Sequence, residues 1–185
     1  MTTTTPLALL AGFAALALSL AAHADDDRGL ASRTAMSAAQ EVQDPPVESG
    51  ARATAVIRFS RDFSAAWVRI RFSGLQGAFT RLHIHCNVAG ANGPVAIGLI
   101  DTVAPALDNS DVITLSGHRI FGKLTNAQFP DGESCEGVIG RPVNNIVSLA
   151  AAADAGLLYW NLHTDAYPGG ELRGQLRPVA HGDSD

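Results

Sequence analysis

The sequence predicts an all-β protein: an antiparallel Greek-key β-sandwich or barrel with one or two short helices. Seven or eight short stretches alternate apolar and polar residues with the period of two that a half-buried strand imposes. Turns rich in Gly, Pro and Asn separate them. A single stretch, Val143 to Ala153, has the three-to-four-residue apolar spacing of a helix.

Thr34 to Gln40 reads as the first strand, and Gln43-Asp44-Pro45-Pro46-Val47 as a stiff extended connection, because each Pro restricts its own φ and the residue before it. Ala53, Ala55, Ile57 and Phe59 alternate with Arg52, Thr54, Arg58 and Ser60; Val56 is the exception. After a short turn at Arg61-Asp62, Val68, Ile70 and Phe72 resume the alternation, which predicts a hairpin. In Thr80 to Cys86, Leu82, Ile84 and Cys86 share one face and Arg81, His83 and His85 the other. The Gly/Asn-rich stretch Asn87 to Pro94 reads as a loop capping that strand. Val95 to Ile100 is a short apolar strand, and Val112 to Gly122 contains one more alternating strand. Leu124 to Phe129 fits strand and helix alike, and Pro130-Asp131-Gly132 is a turn. The helix over Val143 to Ala153 has Pro142 or Asn144 near its start and Gly156 just past its end.

The most distinctive stretch comes last. Leu158, Trp160 and Leu162 alternate with Tyr159, Asn161 and His163; Pro168-Gly169-Gly170 makes a turn; Leu172, Gly174 and Leu176 then alternate with Glu171, Arg173 and Gln175. This is strand, tight turn, strand, with one histidine on the polar face.

Residues 1–24 read as a secretory signal peptide. An apolar run from Leu7 to Ala22 ends in the small-x-small pattern Ala22-His23-Ala24, ahead of Asp25-Asp26-Asp27, although the first residues carry no Lys or Arg. The competing reading is an uncleaved anchor, for which the run is short. Residues 25–33 then form a flexible leader, 34–178 one domain with a real core, and 179–185 a polar tail. The expected location is periplasmic or extracellular, with no stable membrane insertion after cleavage. A net charge of −5 without a basic run argues against nucleic acid as partner. The two cysteines, Cys86 and Cys135, are expected to pair in an oxidising compartment, closing a loop of about 50 residues. The other reading makes Cys86, next to His85, a thiolate metal ligand.

His83 and His85 stand two apart on one strand face, roughly 6.6 Å between Cα atoms, so two imidazoles can converge on one ion. His163, also on a polar face, completes a three-histidine set if folding brings the strands together. The bland alternative is three histidines bonded to backbone. His118 is an additional candidate, and Glu171 can support a ligand histidine or form a strand-edge ion pair. No serine sits in a Gly-x-Ser-x-Gly elbow, and the Gly/Asn loop lacks a phosphate-binding Lys, so neither a hydrolase nor a nucleotide cradle is indicated.

His83-Ile84-His85-Cys86 with Gly90-Ala91-Asn92-Gly93-Pro94-Val95, the stretch Tyr159 to Leu176, and Ala38-Ala39-Gln40-Glu41-Val42 with Pro45-Pro46-Val47 together resemble the chordin-type (CHRD) domain family over residues 35 to 177. The resemblance implies an immunoglobulin-like barrel distantly akin to copper/zinc superoxide dismutases, whose copper strand also carries a His-x-His pair, here His83 and His85. The zinc loop of those enzymes has no counterpart in this chain. No single activity is established for the family. Gly174 and Cys86 depart from the cysteine pattern of some members, so no bridge is carried over from it.

These observations lead to two expectations. The first is a secreted protein binding a transition metal, copper or zinc with copper favoured, through His83, His85 and His163; an enzymatic version would be a superoxide dismutase-like redox activity. The second is a non-catalytic extracellular interaction module with a protein partner and no metal.

Overall fold

The computed structural model describes residues 1, 30–129 and 133–177. The expected signal peptide, most of the leader, the turn at 130–132 and the tail lie outside the described residues. The chain forms β1 (Ala31–Ser37), β2 (Arg52–Phe59), β3 (Ala66–Ser73), β4 (Phe79–Cys86), β5 (Val95–Asp101), β6 (Ile113–Ser116), β7 (Arg119–Leu124), α1 (Glu133–Ile139), α2 (Ile146–Asp154), β8 (Leu158–Thr164) and β9 (Leu172–Gln175). The nine strands make one sheet in the order β5-β4-β8-β9-β1-β2-β3-β7-β6, antiparallel throughout. The all-β antiparallel expectation holds.

The sheet curls into a nearly closed barrel, because every strand turns its apolar set to one side. Ile57, Val68, Ile70, Ile120, Leu82, Ile84, Trp160 and Leu172 are fully or almost fully buried in a single core, which α2 joins through Ile146 and Leu149. Asn109 ties the two edge strands together. Its backbone N–H donates to Leu99 O (3.2 Å), its side-chain amide donates to Gly98 O (2.8 Å), and its carbonyl accepts from Ile113 N–H (2.9 Å). The short β1–β9 seam is held by hydroxyls: Thr34 Oγ1 donates to Gln175 O (3.1 Å) and Ser32 Oγ donates to Arg177 O.

Several boundaries differ from the sequence reading. The first strand lies three residues earlier, at Ala31–Ser37, because its partners on β2 are Arg58 back to Arg52; Ala38–Gln40 is a single tight helical turn. The one strand expected within Val112 to Gly122 is a hairpin, β6–β7, turning at Gly117 and His118. The helix begins at Ile146, capped by Asn145 and not by Asn144 or Pro142: the Asn145 side chain accepts from Ser148 N–H and the Ser148 hydroxyl accepts from Asn145 N–H, a reciprocal cap. It ends at Asp154, with Gly156 just past its end as expected. Helix α1 was not expected, since Glu133 to Ile139 contains Gly137 and has no helical period. It carries Cys135, which is bonded to Cys86 on β4 with 5.7 Å between Cα atoms. The disulfide reading of the cysteines therefore holds, and Cys86 is no thiolate ligand.

Candidate metal centre

The polar face of β4 and β8 is covered. All seven residues of β8 are buried, and His83 and His163 are 3% and 6% exposed. At the His85 end the cover is the loop Asn87 to Pro94, clamped from β9; at the His163 end the Pro168 carbonyl meets the ring. Arg173 donates to Ala91 O (2.7 Å), Val88 O (3.2 Å) and Asn92 Oδ1 (3.0 Å), and its guanidinium lies over the Tyr159 ring, 3.5 Å from the centroid. Gly93 N–H donates to the Tyr159 hydroxyl (3.0 Å). The loop does cap the His-x-His strand, and Arg173 holds it there together with Gln175, which donates to Asn87 O (2.9 Å).

On this face three histidines meet. β4 supplies His83 and His85 from one face. β8 pairs with β4 so that His163 stands opposite Arg81, diagonal to His83. The ring centroids of His163 and His83 are 5.2 Å apart, those of His83 and His85 5.6 Å, and those of His85 and His163 6.2 Å. One nitrogen from each ring lies within 4.8 Å of one from each of the others.

Every ring is anchored through one nitrogen and leaves the other without a partner. His83 Nε2 donates to Asp101 Oδ2 (2.9 Å), His85 Nδ1 to Gly93 O (2.9 Å), and His163 Nδ1 to Pro168 O (3.0 Å). His83 Nδ1, His85 Nε2 and His163 Nε2 are buried and bond to nothing among the described residues. A buried polar atom without a partner costs free energy. Three on one cluster of rings, each ring oriented by a carboxylate or carbonyl behind it, is the pattern that metal-ligating histidines show. Asp101 is itself held in place by accepting from Val103 N–H (2.8 Å) and Ala104 N–H (2.7 Å).

Two glycines make the anchoring possible. A Cβ on Gly93 would collide with the backbone of Cys86, so no other residue lets this carbonyl reach His85. Gly170 has φ +125°, and a Cβ there would lie 2.5 Å from Asn161 Nδ2 and 2.7 Å from Glu41 Oε1. It ends the turn whose Pro168 carbonyl accepts from both His163 and Arg81.

Burial pushes all three imidazoles down: His85 to about 4 and His163 to about 3, with His83 also below its ordinary value although Asp101 opposes the effect. The rings are neutral at neutral pH, the form that can ligate a metal. Glu41, which accepts from Asn161 Nδ2 (2.6 Å), is pushed up to about 7 by burial. Between pH 4.5 and 6.5 the unfolded chain protonates the site histidines, whereas folding keeps His85 and His163 neutral and lowers His83 in the same direction; Glu41, raised to about 7, opposes them with a single proton. The unfolded state then binds more protons, so stability falls as pH falls. The metal-free protein is expected to lose stability steadily from pH 6.5 to 4.5, measured as the urea midpoint. A flat midpoint across that range would refute the buried, neutral state of these rings.

The other candidates lie elsewhere. His118 is exposed on the β6–β7 turn, edge-on to Phe72 at 5.6 Å. Glu171 is fully buried but touches no histidine and forms no pair with Arg173. It accepts from Ser49 Oγ (2.6 Å), Gln76 N–H (2.9 Å) and Thr164 Oγ1 (2.8 Å), tying three loops together. Sequence reasoning missed Asp101 and the clamp by Arg173. Asp101 ends a strand that meets β4 through irregular register shifts, so no spacing rule points from it to His83.

No helix among the described residues is long and apolar enough to cross a membrane. Comparison with curated proteins and with solved structures finds no match. The sequence profile of the CHRD domain matches residues 32–176, most of the chain. By this match and by the motifs that line the histidine site, the chain belongs to the CHRD domain family.

Proposed function

We propose that this protein is an exported metal-binding domain that holds one transition-metal ion, copper in preference to zinc, through His83, His85 and His163. The observation that carries the reading is the set of three buried, unpartnered imidazole nitrogens with their opposite nitrogens anchored. An all-imidazole set suits copper and zinc, and copper(II) stands above zinc in intrinsic affinity for nitrogen ligands. A bound copper ion would supply one-electron redox chemistry. The chain's own part is to keep the rings neutral, aim them and limit water through the loop that Arg173 holds. The disulfide supports an oxidising location.

The test is titration of the untagged mature protein with Cu²⁺ and Zn²⁺, read by metal analysis and thermal unfolding. One equivalent of copper is expected, with a rise in Tm, because a ligand at 100 times its Kd stabilises the native state by about 2.7 kcal/mol. The H83A/H85A double variant is expected to fold, bind no stoichiometric metal and lose the Tm response. Absence of stoichiometric metal together with no Tm response to either ion in the unsubstituted protein would sink the proposal.

A further inference from the structure

The strands β1, β2, β3, β6 and β7 contain no Asp or Glu, and their outward positions carry seven of the thirteen Lys and Arg residues of a chain whose net charge is −5. The register sets these cations in rows across the sheet. Arg58, Trp67 and Lys123 form one row. Arg33, Val56, Arg69 and Phe121 form the next. Arg71 pairs with Arg119 in the third, and Arg52 lies in the fourth. All seven cations are exposed, and none is ion-paired with a carboxylate among the described residues. With strands about 4.8 Å apart and like-facing residues about 6.6 Å apart, the patch measures roughly 15 by 20 Å. Like charges set side by side repel, so folding alone gives no reason to gather them here.

Between the first two rows lies an open groove of about 470 Å³, with Trp67 and Phe121 as walls and Val56, Arg58, Arg69 and Lys123 around it. Trp67 and Phe121 are 47% and 45% exposed, and Lys123 Nζ sits 5.6 Å from the centre of the Trp67 ring. The ligand must therefore present many negative charges along its length and, at one point, a ring with an apolar face.

We infer that this sheet face binds a linear acidic polysaccharide, a polymer of uronic acid units: one pyranose ring enters the groove between Trp67 and Phe121, and carboxylates along the chain meet the arginine rows. A pyranose offers a C–H face to an aromatic ring and its carboxylate to a guanidinium. Single-stranded nucleic acid gains by stacking successive bases on a series of aromatic platforms, and this face has one slot. A second copy presenting the same face would set cation against cation.

The full mature chain is titrated with polygalacturonate at 50 and 300 mM NaCl, in EDTA so that no metal bridges protein and polymer. Binding is expected at the lower salt and to weaken at least about tenfold at the higher. R69S/R71S should weaken it about tenfold or more and flatten the salt dependence. W67A should weaken it with the salt dependence retained. These side chains are exposed, and an unchanged Tm in each variant certifies the fold. No binding to polygalacturonate, binding indifferent to both variants, or tighter binding to oligo-dT or to vesicles with 30% anionic lipid at equal charge would overturn the assignment. Binding of neutral pullulan as tight as polygalacturonate would overturn it too.

Discussion

Truncating Glu171 to alanine is expected to cost about 3–5 kcal/mol of unfolding free energy. The carboxylate is fully buried and accepts from Ser49 Oγ, Gln76 N–H and Thr164 Oγ1. Alanine leaves three donors facing a cavity, and each unsatisfied buried group costs about 1–3 kcal/mol. E171Q separates hydrogen bonding from the side chain's mere presence. Its amide oxygen can still accept from Ser49 and Gln76, and its NH₂ can donate to the Thr164 hydroxyl, so a loss of about 1–2 kcal/mol is expected. Urea unfolding of both variants checks this. Equal losses would show that charge, not hydrogen-bond count, sets the role of Glu171. The same residue bears on the site only at a distance: Thr164 follows His163, and the knot around Glu171 fixes the end of β8 from which His163 projects.

Removing the Cys86–Cys135 bridge is expected to cost about 4 kcal/mol in the chain-entropy account, because the bridge closes a loop with a sequence separation of 49 in the unfolded chain. The C86A/C135A variant, unlike a serine pair, adds no buried hydroxyl at two fully buried positions. Its urea midpoint should drop, and reducing agent should shift the unsubstituted protein toward the same value. Hydrogen exchange should show α1 opening first, since the disulfide is what fastens that short helix to β4. A loss below about 1 kcal/mol would mean that the reduced unfolded state is already compact around this loop.

The fold was largely legible because alternation is local. Val68, Ile70 and Phe72, or Leu158, Trp160 and Leu162, declare their shared face within a few residues of chain. The hairpin at Gly117 was missed although the inward phase shifts across its two-residue turn, from Ile113 on β6 to Ile120 and Leu124 on β7. Helix α1 was illegible because its place is fixed by Cys135 and not by helical periodicity. The sequence rightly grouped His83 with His85 by spacing and named His163 as their partner, but Asp101, Gly93 and Pro168, which anchor the rings, are joined to them only across register shifts and loops.

Composition alone did not locate the charges. A net charge of −5 says nothing of where the charges lie, and the pairing of β1, β2, β3 and β7 gathers seven cations that the chain spreads from Arg33 to Lys123. By itself the sequence determined most of the strands, their apolar faces and the strand-turn-strand unit around His163, because each follows from period two and turn chemistry. Tertiary structure alone decided that the polar face of β8 is buried, that three imidazoles meet on it, and that the opposite layer is cationic. These depend on which distant strands become neighbours and in what register, a choice made by closing one core and not by any local stretch of chain.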